Sequence, residues 1–582
     1  MGRDRDSLIS GRSGGSREEG YGQLGRRIRG GCCWPLALLT CGALAQGVIP
    51  PPAIDPGRLR EQFDVPAVPA SGVQMPEFKG GLHDVAPQAL RAIRVTLHKI
   101  VVEGATVFTP EQLSMVTRPY LGREISGSDI FALAQKLTVH YRNAGYFLSL
   151  VVVPPQSLGD TTLTLRVIEG YINQVHFEGD PRVLARLAEI GDKIRASRPL
   201  QAQVLERYLL IANDLPGMQL RSVLSPSQTV GAADLTLIAS VKDVDGFASY
   251  DNYGSRYLGP NQTTLGVSFN QLFGGNDQLR LLGVGTGGTE MSYVQLGYSR
   301  VLDDEGVNVG LTLSQARTQP GDSLRAFDIR GRSDAMSLSL AVPVKRTRNE
   351  SLFARLSYDN ADIDTDILGS RTTEDRIRAV RAGLSWQLLD RLDGQNTLDV
   401  DLSQGLGGTT ATDLLKSRVG ADGGFSKLTF EYTRFQPWSA RWGVGLGLAG
   451  QWTQSQPLLS SEQFALGGRR YGRAYEAAEL VGDRGMALRL EPRYSGVTTD
   501  PWLRSYHLLA FYDIGEVSKV GAHAPGTPIS QSLASAGLGA RLFFAGHVTV
   551  QMEAAWPLTK ELASAPQDGK AVRLLGSLLV RF

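Results

Sequence analysis

The sequence is short of cysteine, of long apolar runs and of net charge, and each shortage closes a class of protein. Cysteine occurs at Cys32, Cys33 and Cys41 and nowhere later, so the rest of the chain builds no disulfide framework. After residue 50 no apolar run approaches the ~18 residues a spanning helix needs, which excludes a helical membrane protein. Sixty basic against 58 acidic residues leave a formal charge of +2, which argues against a nucleic-acid binder. The seven histidines (His83, His98, His140, His176, His507, His523, His547) are scattered and never fall at metal-ligand spacing. Gly283–Gly288 and Gly445–Gly450 fit G-x-G-x-x-G, but both lie in alternating strands with no helix after them. Gly11–Gly15 fits a nucleophile elbow, but lies in the leader. The chain reads as no enzyme, with no metal and no cofactor.

What is present in excess is glycine, 67 of 582 residues, against an ordinary ~7%. With 42% hydrophobic and 20% charged residues, and a mean hydropathy of −0.12, the chain is not disordered. Arg26, Arg27 and Arg29 precede an apolar stretch from Cys32 that closes on Ala43-Leu44-Ala45, so residues 1–45 read as a secretory signal peptide. The leader carries a net +3, and removing it leaves about −1. Residues 46–89 are a proline-rich linker with Pro50, Pro51, Pro52, Pro56, Pro66, Pro69 and Pro76. Within it Asp55 suits an N-cap and Pro56 a first helical position, which predicts two helical turns over 55–63.

Residues 90–240 carry one small pattern twice. Residues 90–169 read as strand, helix, helix, strand, strand. Thr109-Pro110 starts a helix, and Ile130, Leu133, Ala134, Leu137 and Tyr141 mark one helical face that Gly145 ends. Strands are expected over Tyr146–Val153 and Thr161–Ile168. Residues 170–240 repeat the order, with a strand to Gly179, helices over Leu184–Ile190 and Val204–Ile211, and strands over Met218–Leu224 and Leu235–Ala239. Two small α/β modules follow from the repeat.

From residue 241 to 582 the period becomes two. In 396–404, Leu398, Val400 and Leu402 oppose Asp399, Asp401 and Ser403. About sixteen such segments occur, starting near 246, 262, 277, 290, 306, 335, 351, 376, 396, 426, 440, 484, 504, 533, 547 and 571. Their ~9–11 residues suit tilted transmembrane strands. Long connections near 316–334, 360–375, 405–425, 454–483 and 514–532 alternate with short ones. Trp442 and Trp452 bracket Val444, Leu446 and Leu448 on one face, an apolar band between aromatic girdles. Gly443, Gly445, Gly447 and Ala449 line the other, which predicts a roomy lumen beside that strand. The fold class is mainly β: a 16-stranded transmembrane β-barrel behind two α/β modules.

Two modules before such a barrel resemble the two-partner secretion transporters, the TpsB family of haemagglutinin and haemolysin exporters, similar to the ShlB/FhaC/HecB haemolysin secretion/activation proteins. Val153-Pro154-Pro155-Gln156 and Val167-Ile168-Glu169-Gly170 resemble signatures of the family's first POTRA module, and Asp251-Asn252-Tyr253-Gly254-Ser255 the start of its barrel. Leu466-Gly467-Gly468-Arg469-Arg470-Tyr471-Gly472-Arg473-Ala474-Tyr475, then Gly482-Asp483-Arg484-Gly485 and Glu491, resemble its long inward-folding loop. Gly472 and Ala474 depart from a tip that reads Val-Arg-Gly-aromatic. Phe511-Tyr512-Asp513-Ile514-Gly515 resembles the strand whose aspartate pairs with the loop arginine. The resemblance implies a loop-locking ion pair of Arg473 with Asp513. It also implies an N-terminal plug helix at 55–63, POTRA modules at 90–169 and 170–240 in the periplasm, and a barrel over 241–582 in the bacterial outer membrane. The implied partner is a secreted exoprotein with an extended β-forming N-terminal domain. Outer-membrane lipid surrounds a monomer, and no nucleic acid is involved. A barrel-assembly factor of the BamA type and a diffusion porin are the alternatives.

Overall fold

The computed structural model describes residues 50–63, 77–78, 94–157, 161–407, 413–521, 528–559 and 571–582. The expected signal peptide and most of the proline-rich linker lie outside the described residues.

Strand β1 (Glu77–Phe78) precedes the first module, in which β2 (Arg94–Thr96) pairs with β4 (Glu124–Ser126). Strands β3 (Lys99–Glu103), β5 (Leu150–Val152) and β6 (Thr162–Ile168) form a sheet in the order β3-β6-β5. Helix Pro110–Thr117 begins with a capping box: the Gln112 N–H donates to Thr109, and the Thr109 N–H donates to the Gln112 side chain at 2.9 Å. Helix Gly127–Asn143 buries the face read from its spacing, Ile130, Leu133, Ala134, Leu137 and Tyr141. The strand expected from Tyr146 is shorter. After Gly145 (φ +95°), residues 146–149 form a turn closed by Ser149 N–H on the Tyr146 carbonyl at 3.0 Å, and Phe147 and Leu148 pack on the second module's core. Those four residues couple the modules instead of extending the sheet.

The second module holds β7 (Tyr171–Gly179), β8 (Met218–Pro226) and β9 (Ala232–Val241), with β1 added along β8, in the order β1-β8-β9-β7. Its first helix, expected over 184–190, runs Pro181–Ala196 because Asp180 caps it from the Arg182 N–H at 2.9 Å and Pro181 occupies the first position. This module is bolted to the near end of the barrel. Arg346, 4% exposed on its side chain, makes two 2.7 Å bonds to Asp214, and Glu305 accepts from Arg207 at 3.0 Å and Tyr208 at 2.7 Å.

Sixteen antiparallel strands close into a barrel. They are β10 (Val244–Asp251), β11 (Gln262–Asn270), β12 (Asp277–Thr286), β13 (Met291–Val301), β14 (Asn308–Thr318), β15 (Arg330–Arg346), β16 (Glu350–Ile367), β17 (Ser370–Leu389), β18 (Gln395–Gly405), β19 (Ser426–Pro437) and β20 (Trp442–Thr453). Two short strands, β21 (Phe464–Leu466) and β22 (Leu480–Gly482), pair only with each other. The barrel resumes with β23 (Arg484–Val497), β24 (Leu503–Ser518), β25 (Ser530–Phe544), β26 (Val548–Pro557) and β27 (Arg573–Arg581). Closure joins β10 to β27, from Phe247 opposite Arg581 to Asp251 opposite Ser577. Closure is what lipid demands, because an open edge would strand backbone N–H and C=O groups in hydrocarbon.

Each segment read from alternation corresponds to a barrel strand. The largest difference is at 360–375, expected as a long connection. There β16 and β17 continue to a two-residue turn at Leu368-Gly369, both at positive φ. Leu338, Leu356, Leu384 and Leu402 are exposed on the outer face, an apolar surface suited to lipid. Leu340→Arg, in the middle of that band, is expected to cost about 2–4 kcal/mol in a bilayer. Ser339→Arg, on the lumen face, should cost far less, as urea unfolding in liposomes will show.

Candidate functional site

The connection 454–483 leaves β20 at the barrel's far end, turns into the lumen and returns to β23. Its tip folds on glycine: Gly467, Gly468 and Gly472 have φ of +104°, +84° and +88°, a region where a Cβ is strained. The Gly467 N–H donates to the Tyr471 carbonyl at 2.8 Å, the Gly468 N–H to the Tyr475 carbonyl at 3.0 Å, and the Tyr475 N–H to the Gly472 carbonyl at 2.9 Å. A Cβ at Gly472 would lie 2.6 Å from the Leu533 side chain, which accounts for glycine where the resembling tip has valine.

This fold aims Arg473 at the inner wall, and its guanidinium is fully engaged. Nε and Nη2 reach Asp513 at 3.1 and 3.2 Å, and Nη1 reaches Glu491 at 3.2 Å and Glu553 at 3.0 Å. The Phe511 ring lies beneath it, 3.4 Å from the guanidinium carbon to the ring centroid. Asp513 also accepts from the Gly472 and Arg473 N–H groups, each at 3.2 Å, and from the Ser535 hydroxyl at 3.4 Å. Glu491 is further paired with Arg493 at 3.0 Å and Arg541 at 3.4 Å, so the three carboxylates do not face one cation alone. Tyr475 is buried, its hydroxyl donates to the Ala534 carbonyl at 3.1 Å, and its own carbonyl accepts from Arg573 at 2.6 Å.

The remaining residues named from the sequence sit apart, at the loop's base. Asp483 is fully buried and accepts from the Leu458 N–H at 2.8 Å, the Val520 N–H at 2.6 Å and Arg418, thereby gathering three connections. Gly482 and Gly485 permit close packing: a Cβ at Gly482 would lie 2.7 Å from the Ser518 carbonyl, and one at Gly485 would enter the Phe464 ring. The space beside Gly443, Gly445 and Gly447 is not empty. Phe435 fills it at Gly443, Glu491 at Gly445, and Arg489 with the Tyr471 hydroxyl of the loop at Gly447, the hydroxyl 3.3 Å from a Cβ placed there.

A second insert shares the lumen. Residues 52–58 form two 3-10 turns and Leu59–Phe63 an α-helix, with the Asp55 carboxylate accepting from the Gly57 N–H at 2.8 Å. Ile54 and Leu59 pack with Val284, Met291 and Tyr293 of the inner wall. Arg58 donates to the Gln463 carbonyl at 3.1 Å and to the Ser460 carbonyl, so the insert grips the loop directly. Charges complete the link: Arg60 to Asp359 at 2.6 Å, Asp359 to Arg381 at 3.0 Å, Arg381 to Glu462 at 2.6 Å and Glu462 to Lys427 at 2.7 Å. Sequence reasoning missed this relay and missed Glu553. Strand parity alone marks Glu553, Asp359 and Arg381 as lumen-facing, and nothing local marks them as partners.

A closed barrel with α/β modules at one end and two foreign segments inside is the architecture of a transport barrel. The family of haemolysin secretion/activation proteins ShlB/FhaC/HecB matches residues 237–542, and the ShlB-type POTRA domain matches residues 95–170. The chain belongs to this family. It is 24% identical over 468 residues to the heme/hemopexin transporter protein HuxB of Haemophilus influenzae strain Rd, covering 78% of this chain and 82% of that one. It is 24% identical over 421 residues to the outer membrane transporter CdiB of Dickeya dadantii, covering 70% and 73%. In structure it is similar to CdiB from Escherichia coli, with a TM-score of 0.68 and 21% identity over 87% of this chain and 93% of that one.

Removing one partner from a buried ion cluster strands the others, at about 3–5 kcal/mol. Arg473→Ala should lower the unfolding free energy by that much, and Arg473→Lys by less, in urea titrations of the purified protein.

Proposed function

We propose that the chain is an outer-membrane translocator that takes an unfolded exoprotein at the module end and exports it through the lumen. Family membership supports the transport reading. The observation that carries it is the double filling of the lumen by residues 50–63 and 454–483. Side chains of barrel strands fill a lumen permanently. Segments held by side-chain bonds fill it reversibly.

In this reading the module end lies in the periplasm and the far end outside the cell. The modules present sheet edges that an extended incoming chain can join by strand addition. The partner in this reading is a secreted exoprotein with an extended β-forming N-terminal domain, and membership of a haemolysin secretion/activation family supports a secreted cargo. The periplasm offers no ATP, so folding of the cargo outside supplies direction. Arg473 and Asp513 lock the loop, and residues 50–63 act as the plug.

Three measurements test this reading. A secretion-arrested exoprotein should crosslink to photoreactive residues placed within 94–241, and a map without such contacts overturns the capture step. Arg473→Asp or Asp513→Arg should abolish secretion and the double swap should partly restore it, whereas full secretion by Arg473→Ala sinks the lock. A disulfide between Gly57→Cys and Ile363→Cys should block secretion until reduced, and unimpaired secretion by the oxidised form removes the plug.

A further inference from the structure

Outward-facing residues of β14–β17 change character abruptly toward the far end of the barrel. Leu311, Leu338, Tyr358 and Val380 lie in register across four strands, and Leu313 and Met336 continue the apolar surface one row further. The next outward rows are charged or polar throughout. Gln315, Asp334, Asp362 and Arg376 share one, and Arg317, Arg332, Asp364 and Glu374 share the following one. The parity is fixed by Thr318, beside Arg317, which faces the lumen and donates to the Ile54 carbonyl at 3.2 Å.

Within these rows the acidic side is satisfied from inside the chain. Asp364 and Glu374 face each other, and Arg376 bridges them at 2.8 and 2.7 Å. Arg378 holds Asp362 at 2.9 Å, and Arg371 holds Asp366 at 2.6 Å. The basic side is matched less completely. Arg317 and Arg332 face each other directly across β14 and β15, a like-charge pairing that destabilises a sheet. Arg332 turns to Asp334 of its own strand at 2.6 Å, and that carboxylate also accepts from Gln315 at 2.7 Å. No carboxylate among the described residues stands at ion-pair distance from Arg317. Arg330, one row higher, pairs with Asp328 at 3.0 Å yet is 65% exposed on its side chain, and Arg332 is 57% exposed.

We infer that Arg317 and Arg332, with Arg330 above them, form a docking site for the phosphate groups of outer-leaflet glycolipid. The inference rests on the outer-membrane placement of the barrel and is independent of how cargo is carried. One outward row lies between the arginines and Leu313 and Met336, a rise of four residues at ~3.4 Å each along the strand, so they stand just above the acyl chains. At that height the outer leaflet of such a membrane presents phosphorylated sugars. Guanidinium forks match phosphate in geometry and charge, and one phosphate between Arg317 and Arg332 turns a repulsive pair into a bridged one. The arrangement mirrors the way Arg376 bridges Asp364 and Glu374 with the signs exchanged.

The test uses the full-length protein in detergent, with native mass spectrometry reading bound lipid A. The wild type should retain lipid A and bind phosphatase-treated lipid A about tenfold more weakly. Arg317→Glu with Arg332→Glu should lose the preference for phosphate, as should Arg317→Gln with Arg332→Gln if the charge reversals fail to fold. Heat-modifiable migration on gels confirms an intact barrel in each variant, and secretion is measured in parallel to separate this site from the transport reading. Equal binding of phosphorylated and dephosphorylated lipid A by the wild type overturns the site. So does an unchanged preference in the folded variants.

Discussion

A backbone in hydrocarbon must pair every N–H and C=O within itself, and that constraint organises this protein. It forces sixteen strands to close, with β27 joined to β10. Closure in turn sorts side chains by parity, one face to lipid and the next to the lumen. A barrel of this width then has an interior too large for its own wall residues to fill, so other parts of the chain are drawn in.

What occupies the interior is held by apolar packing and, at its centre, by charge. Arg473 sits among Asp513, Glu491 and Glu553, and the N-terminal insert reaches the same loop through Arg60, Asp359, Arg381 and Glu462. Ion pairs suit the opening that the proposed function requires. They are strong when dry, and each group regains a hydration shell when water enters, so release costs less than the dry pairing suggests. Apolar packing of equal strength would pay nothing back on exposure to water. The glycines serve the same end, since Gly467, Gly468 and Gly472 allow the tip to turn sharply enough to present its arginine.

Much of this is legible in the sequence because a period of two is a strong signal. Strand positions follow from alternation, and the facing of Asp513 toward the lumen follows from parity. The legibility ends where alternation is made of charges. Residues 360–375 read as loop because the outward face, with Asp362, Asp364, Asp366 and Glu374, is charged where a lipid-facing strand is apolar, although they form the end of one long hairpin. It ends again where register matters. Glu553 alternates plainly, yet its meeting with Arg473 depends on how β24, β25 and β26 slide past one another, which no local pattern encodes. The short helix at 59–63 is visible from Asp55 and Pro56, but its grip on Ser460 and Gln463 lies some 400 positions away along the chain.

The N-terminal insert ends at Phe63, and at Glu77 β1 joins β8 of the second module. Thirteen residues lie between those points, a leash that reaches at most roughly 50 Å when fully drawn out. An insert that leaves the lumen therefore never becomes a free solute. It stays a tethered ligand of its own pore, and its return is intramolecular. In the proposed function, resealing is then a unimolecular return, set by leash length and indifferent to how many copies of the protein the membrane holds.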